Sequence, residues 1–152
     1  MKLFKILLLF IALSTFGCAE KENPSFTKEE LVLIPQPKSL NLNQGSFEVT
    51  NSTKIIIAQD SLASVSSILN DLFKRAAGFE LETSIDAHAE NNIQLKINSE
   101  IAKEAYELKV TSENVILEAN SKLGFVYGME TIRQLLPKEI ESGSKVSDIE
   151  PL

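Results

Sequence analysis

One cysteine, one histidine, two tyrosines and no tryptophan occur among the 152 residues of this chain, and each scarcity closes a route to function. A single cysteine, Cys18, excludes an internal disulfide and any zinc site built on several thiolates. The lone histidine, His88, has no cysteine nucleophile to serve, so only a converging serine would give it a catalytic triad. With Asp86 and Glu90 beside it in a loop-like segment, His88 still offers too few ligands for zinc, and no metal or other cofactor is expected. Sugars stack on aromatic faces, and the missing tryptophan leaves only Tyr106 and Tyr127, both at positions that read as core. Neither GxxxxGK[ST] nor GxGxxG is present, so nucleotide phosphates have no cradle. The 15 lysines and arginines are scattered and outnumbered by 21 acidic residues, which removes the electrostatic footprint of a nucleic-acid binder.

What is present suits one globular domain behind an export signal. Hydrophobic residues make up 43% of the chain and charged residues 24%, the balance of a foldable rather than a disordered sequence. The start, "MKLFKILLLFIALSTFGCAEKENP", places Lys2 and Lys5 before the apolar run Ile6 to Leu13 and small residues before Cys18, which is signal-peptide architecture over residues 1–17. That run falls far short of the ~20 residues a helix needs to span a bilayer. Gly17-Cys18 resembles the lipobox of bacterial lipoproteins, although Thr15 and Phe16 depart from its usual residues. The resemblance implies lipid attachment at Cys18 and anchoring at a periplasmic or outer-membrane face; the alternative is a plain secreted protein with an incidental thiol. Residues 18–30 are polar and without periodicity, the composition of a tether.

The folded part begins near Leu31. Pro35 and Pro37 hold "LVLIPQPKSLNLNQGSFEV" extended, as an edge strand or a surface arm, and Gly45 marks a turn before the alternating Phe47 and Val49. "KIIIA" (Lys54 to Ala58) reads as a strand buried on both faces. After Asp60 or Ser61 as N-cap, Leu62, Val65, Ile68, Leu69, Leu72, Phe73 and Ala76 recur at helical spacing until Gly78 stops the helix. A short strand fits near Glu80 to Thr83. Ile93, Leu95 and Ile97 alternate with polar neighbours; Tyr106, Leu108 and Val110 do the same, and across the turn at Ser112-Glu113-Asn114 so do Val115, Leu117 and Ala119, which makes a hairpin. A second helix starts at Ser121 and ends at Pro137. The predicted fold is an α/β (α+β) two-layer sandwich, a mixed sheet with two helices packed on one face.

Acid–base hydrolysis of a glycoside needs a held pair of carboxyl groups, or one beside a substrate group that can react. Asp60, Asp71, Asp86 and Asp148 read instead as a cap, a solvent face, a loop and the tail, and Glu29, Glu30, Glu139 and Glu141 sit in polar segments. No catalytic residue is expected in this chain. The second helix carries Gly124 and Gly128 in its interior, where each glycine costs about 1 kcal/mol relative to alanine. With Thr131 and Leu135 they form a stripe whose N-terminal half has almost no side chain, fit for close approach to a sheet or another helix. Phe125, Val126, Met129, Ile132 and Leu136 make the apolar face beside it, and Glu130 and Arg133 point outward within pairing distance.

The segment "EAYELKVTSENVILEANSKLGFVYGMETIRQLLP", with "LIPQPKSLNLNQGSFEV" before it, resembles the N-terminal non-catalytic domain of family 20 glycoside hydrolases, the bacterial β-N-acetylhexosaminidases. Tyr106, Leu108 and Val110 match its hairpin, and Gly124, Tyr127, Gly128, Thr131, Gln134, Leu135, Leu136 and Pro137 match its helix motif, so residues 31–137 form the domain. The resemblance implies a partner: a (β/α)₈ barrel C-terminal to this domain, where an adjacent Asp-Glu pair removes terminal N-acetylhexosamine from glycans with the substrate's 2-acetamido group as nucleophile. This chain has no Asp-Glu dipeptide and no barrel, so alone it is expected to be inactive, with residues 138–152 a linker toward the missing domain. Two readings stay open beside the fragment of an exported hexosaminidase. One is a stand-alone surface lipoprotein domain that binds glycan or a partner protein; the other is a related domain that precedes a different barrel.

Overall fold

A computed structural model describes residues 27–28, 30–86 and 90–141. Cys18, His88, Asp148 and everything after Glu141 lie outside the described residues. The elements follow the order β1 (Lys54–Ile57), α1 (Ala63–Ala76), β2 (Glu82–Ser84), β3 (Asn92–Ile97), β4 (Tyr106–Val110), β5 (Asn114–Ala119) and α2 (Lys122–Leu135). Single 3₁₀ turns at Asp60–Leu62 and Lys138–Glu141 precede α1 and follow α2.

The five strands form one mixed sheet in the order β2-β1-β3-β5-β4. β1 runs parallel to β2 and β3, β3 parallel to β5, and only the β4–β5 hairpin is antiparallel. Register then sets the core. Ile55, Ile93 and Val115 align across three strands, as do Ile57, Leu95 and Leu117, so one face becomes a continuous aliphatic floor. The helices cover this face and meet each other on it. Val65, Leu69, Phe73 and Ala76 descend from α1, Phe125, Met129 and Ile132 from α2, and all join the floor in a single buried cluster. Ile56 faces away from that cluster yet is only 6% exposed, so the centre of β1 is buried on both faces as its β-branched run implies.

α1 ends as its sequence dictates. Gly78 adopts φ +76°, and the N–H groups of Ala77 and Gly78 both donate to the carbonyl of Phe73, while Phe79 stacks on the Phe73 ring at 5.9 Å. Its beginning differs from expectation. Neither Asp60 nor Ser61 caps it; both lie in the 3₁₀ turn, and the cap position falls to Leu62, which makes no side-chain bond. The turn feeds straight into the helix, with the Leu62 N–H already bonded to Gln59, so a side-chain cap has less to do.

Two further expectations need correcting. The segment around Phe47 and Val49 forms no strand: Phe47 enters the core at 0% exposure, but the backbone there is irregular. Pro35 and Pro37 lack donors and Gly45 sits at φ +101°, so this part of the chain runs as an arm and inserts one ring instead of pairing. The expected linker also starts too early. Lys138–Glu141 is an ordered turn, and Ile140, 3% exposed, belongs to the core cluster beside α1.

Candidate functional site

The residues that define the sequence motif gather on and around α2. Ser121 stands at its N-cap in extended conformation and accepts a hydrogen bond from the Gly124 N–H at 3.2 Å. The helix then lies against the β4–β5 hairpin, and the glycines mark where. A β-carbon at Gly124 would stand 2.4 Å from the backbone carbonyl oxygen of Ala105 and 3.0 Å from the β-carbon of Ala119. One at Gly128 would stand 2.2 Å from Cδ1 of the fully buried Leu117. Both glycines are buried, so neither presents its backbone to a ligand.

Polar side chains fix the same helix to its surroundings. The Tyr106 hydroxyl and Thr131 Oγ1 share a hydrogen bond at 2.5 Å between β4 and α2. Gln134 reaches the N-terminal arm: its Oε1 accepts from the Ile34 N–H at 2.8 Å and its Nε2 donates to the Ile34 carbonyl at 2.9 Å. One side-chain amide thus copies the pairing of a β-ladder rung. Leu136 turns the backbone to an extended conformation, and Pro137, which cannot continue a helix, follows. Arg133 bonds Glu130 at 2.9 Å and also pairs with Glu141 of the 3₁₀ turn. The hydrogen bond to Glu141, then the negative charges of Glu130 and Glu141, hold the guanidinium above its usual pKa, so it stays charged at any physiological pH.

Tyr127 is where the sequence misleads. Its sequence position reads as core, yet it is 44% exposed. At 100° per residue it lies on the line of Leu123, Glu130 and Gln134, opposite Phe125, Met129 and Ile132. Helical phase, rather than aromatic character, carried the right answer.

Catalytic chemistry finds little to use among the described residues. Asp60, Asp71 and Asp86 are all exposed on separate elements, and no group of three His, Cys, Asp or Glu side chains is placed to hold a metal ion. A polar depression of about 560 Å³ lies at the start of β3 and β5, lined by Glu90, Asn91, Gln94, Glu113 and Asn114 among others. Its amides serve the fold: Asn91, at φ 51°, accepts from Thr53 and donates to the Glu48 carbonyl, and Asn114 accepts from Thr111. The described residues around α2 can join, orient and brace.

Replacing Gln134 with alanine should release the arm while leaving α2 intact. The lost bonds are exposed, so the expected cost is small, about 1 kcal/mol or less. Amide exchange at Ile34 should accelerate while Gly128 stays protected; equal protection at Ile34 in both proteins would contradict the clamp.

Comparison with known proteins yields one consistent set of relatives. The profile of glycosyl hydrolase family 20, domain 2, matches residues 30–150. A beta-hexosaminidase of Porphyromonas gingivalis is 30% identical over 141 residues, which is 88% of this chain but only 18% of that protein. Among solved structures, the beta-N-acetylhexosaminidase of Streptomyces coelicolor A3(2) superposes with a TM-score of 0.68 at 26% identity, over 76% of this chain and 24% of its own. The chitobiase of Flavobacterium johnsoniae does so with a TM-score of 0.58 at 29% identity, over 84% of this chain and 20% of its own. This chain therefore spans about a fifth of the length of the relatives it matches.

Proposed function

Since this chain belongs to glycosyl hydrolase family 20 and corresponds to its domain 2, we propose that it serves as the N-terminal non-catalytic domain of an exported β-N-acetylhexosaminidase. The observation that carries this reading is the match over residues 30–150 to a domain of that family, joined to a relative of which the chain makes up only 18%. In this reading hydrolysis takes place in a (β/α)₈ barrel that follows. There a general acid and the substrate's own 2-acetamido group share the work, and terminal N-acetylhexosamine leaves with retained configuration. The part played here is mechanical. A helix pressed onto a sheet at two glycines, and tied to the arm by Gln134, makes a stiff body for the catalytic part to lean on.

The test begins with the gene. Sequence beyond codon 152 should encode a barrel with an adjacent Asp-Glu pair, and the longer protein should release p-nitrophenol from its N-acetyl-β-glucosaminide. The 152-residue chain should show no turnover above buffer. A stop codon with no barrel in any frame would overturn the reading, and glycan binding by the short chain on an array would then favour a stand-alone binding domain.

Export and anchoring belong to the same proposal. The signal-like residues 1–17 and the lipobox-like Gly17-Cys18 support a lipid-modified Cys18 as the first mature residue. Cells fed radiolabelled palmitate should label the protein, and Cys18→Ser should abolish both label and membrane retention. Unlabelled, soluble wild-type protein in the periplasm or medium would instead indicate plain secretion.

A further inference from the structure

Alternation along β3 turns Ile93 and Leu95 into the core and Gln94 to the opposite face of the sheet, between Ile56 on β1 and Ile116 on β5. Ile56 is almost fully buried and Ile116 half-buried, so the Gln94 amide emerges between two aliphatic side chains. It is half-buried itself, and it makes no side-chain hydrogen bond among the described residues. Gln94 lines the depression of about 560 Å³ at the start of β3 and β5, together with Glu90 and Glu113. The amides of Asn91 and Asn114 there are committed to the fold. The carboxylates of Glu90 and Glu113 are not, since neither takes part in an ion pair or a side-chain hydrogen bond among the described residues.

The chemistry of the lining narrows the guest. The volume falls within the roughly 300–1,000 Å³ of small-ligand sites, but those are mostly apolar and this one is polar, which disfavours an apolar molecule. Two carboxylates, with no lysine or arginine among the described lining residues, repel phosphates and other anions. A metal ion finds no group of three His, Cys, Asp or Glu side chains among the described residues. A neutral molecule rich in hydroxyl groups fits: its O–H groups donate to carboxylates, and its oxygens accept from an amide N–H. We propose that this depression is an accessory saccharide site that holds a neutral chain of N-acetylhexosamine units through Gln94, Glu90 and Glu113. The choice of sugar rests on the function proposed above, whereas the preference for a neutral polyol rests on the lining alone. No aromatic ring is among the described lining residues, so stacking adds nothing and binding by the isolated domain is weak, with a roughly millimolar dissociation constant. Beside a catalytic domain a weak contact is enough, because a glycan held at one site meets the second at a raised local concentration.

Amide NMR of the 152-residue chain tests the site. Tri-N-acetylchitotriose at up to roughly 10 mM should shift the amides of Gln94, Glu113 and Asn114 saturably and leave those of α1 in place, and Gln94→Ala should weaken binding about fivefold or more. No shift at these positions, or saturable shifts only elsewhere, overturns the proposal, while an active barrel in a longer protein leaves the functional reading standing. Equal shifts with cellotriose, which lacks the acetamido group, overturn the assignment to N-acetylhexosamine. Shifts with calcium chloride and none with either sugar make this a cation site and overturn it as well. In the longer protein encoded by the complete gene, Gln94→Ala should lower kcat/KM for chitohexaose about threefold relative to kcat/KM for p-nitrophenyl N-acetyl-β-glucosaminide. An unchanged ratio overturns the accessory role. Without a downstream barrel the functional reading falls, and the titration alone decides the site.

Discussion

Gly124→Ala should destabilise the domain by about 2–3 kcal/mol, although alanine is the better helix former by about 1 kcal/mol. The sign is decided by what the new methyl would meet. At 2.4 Å from the Ala105 carbonyl oxygen it collides with backbone just before β4, and the Ala119 β-carbon at 3.0 Å blocks retreat toward β5. Relief requires α2 to lift from the hairpin, which loosens Phe125 and Met129 in the core and stretches the Tyr106–Thr131 bond. Gly128→Ala should cost less, because its obstacle is the Leu117 side chain, which can change rotamer even in a packed site. Gly128→Leu should cost as much as Gly124→Ala or more, since it adds three further carbons beyond a β-carbon that already meets the Leu117 side chain. Urea unfolding of the four proteins checks the order. A Gly124→Ala protein as stable as wild type would show that α2 does not lie where this packing puts it.

The glycines also show what was legible in the sequence and why. The β5–α2 junction could be read because its signals agree: strict alternation from Val115 to Ala119, a serine cap at Ser121, helical spacing from Phe125 to Leu136, and a proline stop. The stripe of Gly124 and Gly128 announced close approach, but whether to a sheet or a helix depends on tertiary placement that no local pattern holds. The arm was harder. Phe47 and Val49 alternate like a strand, yet pairing needs a neighbour with open hydrogen-bonding groups, and periodicity is blind to that. Ile140 gives no sequence signal because one buried residue in a four-residue turn makes no period at all. Tyr127 resembles core by its chemistry, whereas its place in the period of α2 sets it outward. As for the reaction, no arrangement of these residues reads as an acid–base pair, and only the family relationship directs attention to a domain beyond them.

The amide clamps give the second large effect, and it comes from the one no sequence signal announced. Asn70 on α1 accepts from the Leu81 N–H at 2.7 Å and donates to the Leu81 carbonyl at 3.0 Å, the same two-point grip that Gln134 makes on Ile34. Their surroundings differ. Leu81 is 2% exposed and leads directly into β2, whereas Ile34 is 74% exposed on the arm. Removing a buried partner strands two backbone groups that water cannot easily reach, at about 1–3 kcal/mol each, while the exposed pair simply returns to solvent. Asn70→Ala should therefore cost about 2–4 kcal/mol and lower the melting temperature by roughly 10 °C, with β2 the first strand to lose amide protection. Asn70→Asp should do little better: a carboxylate still accepts from the N–H but faces the Leu81 carbonyl with a second acceptor. If Asn70→Ala and Gln134→Ala proved equally mild, burial would not be what separates the two clamps, and the β1 ladder and the packing of Leu81 would suffice to hold the edge of the sheet at β2.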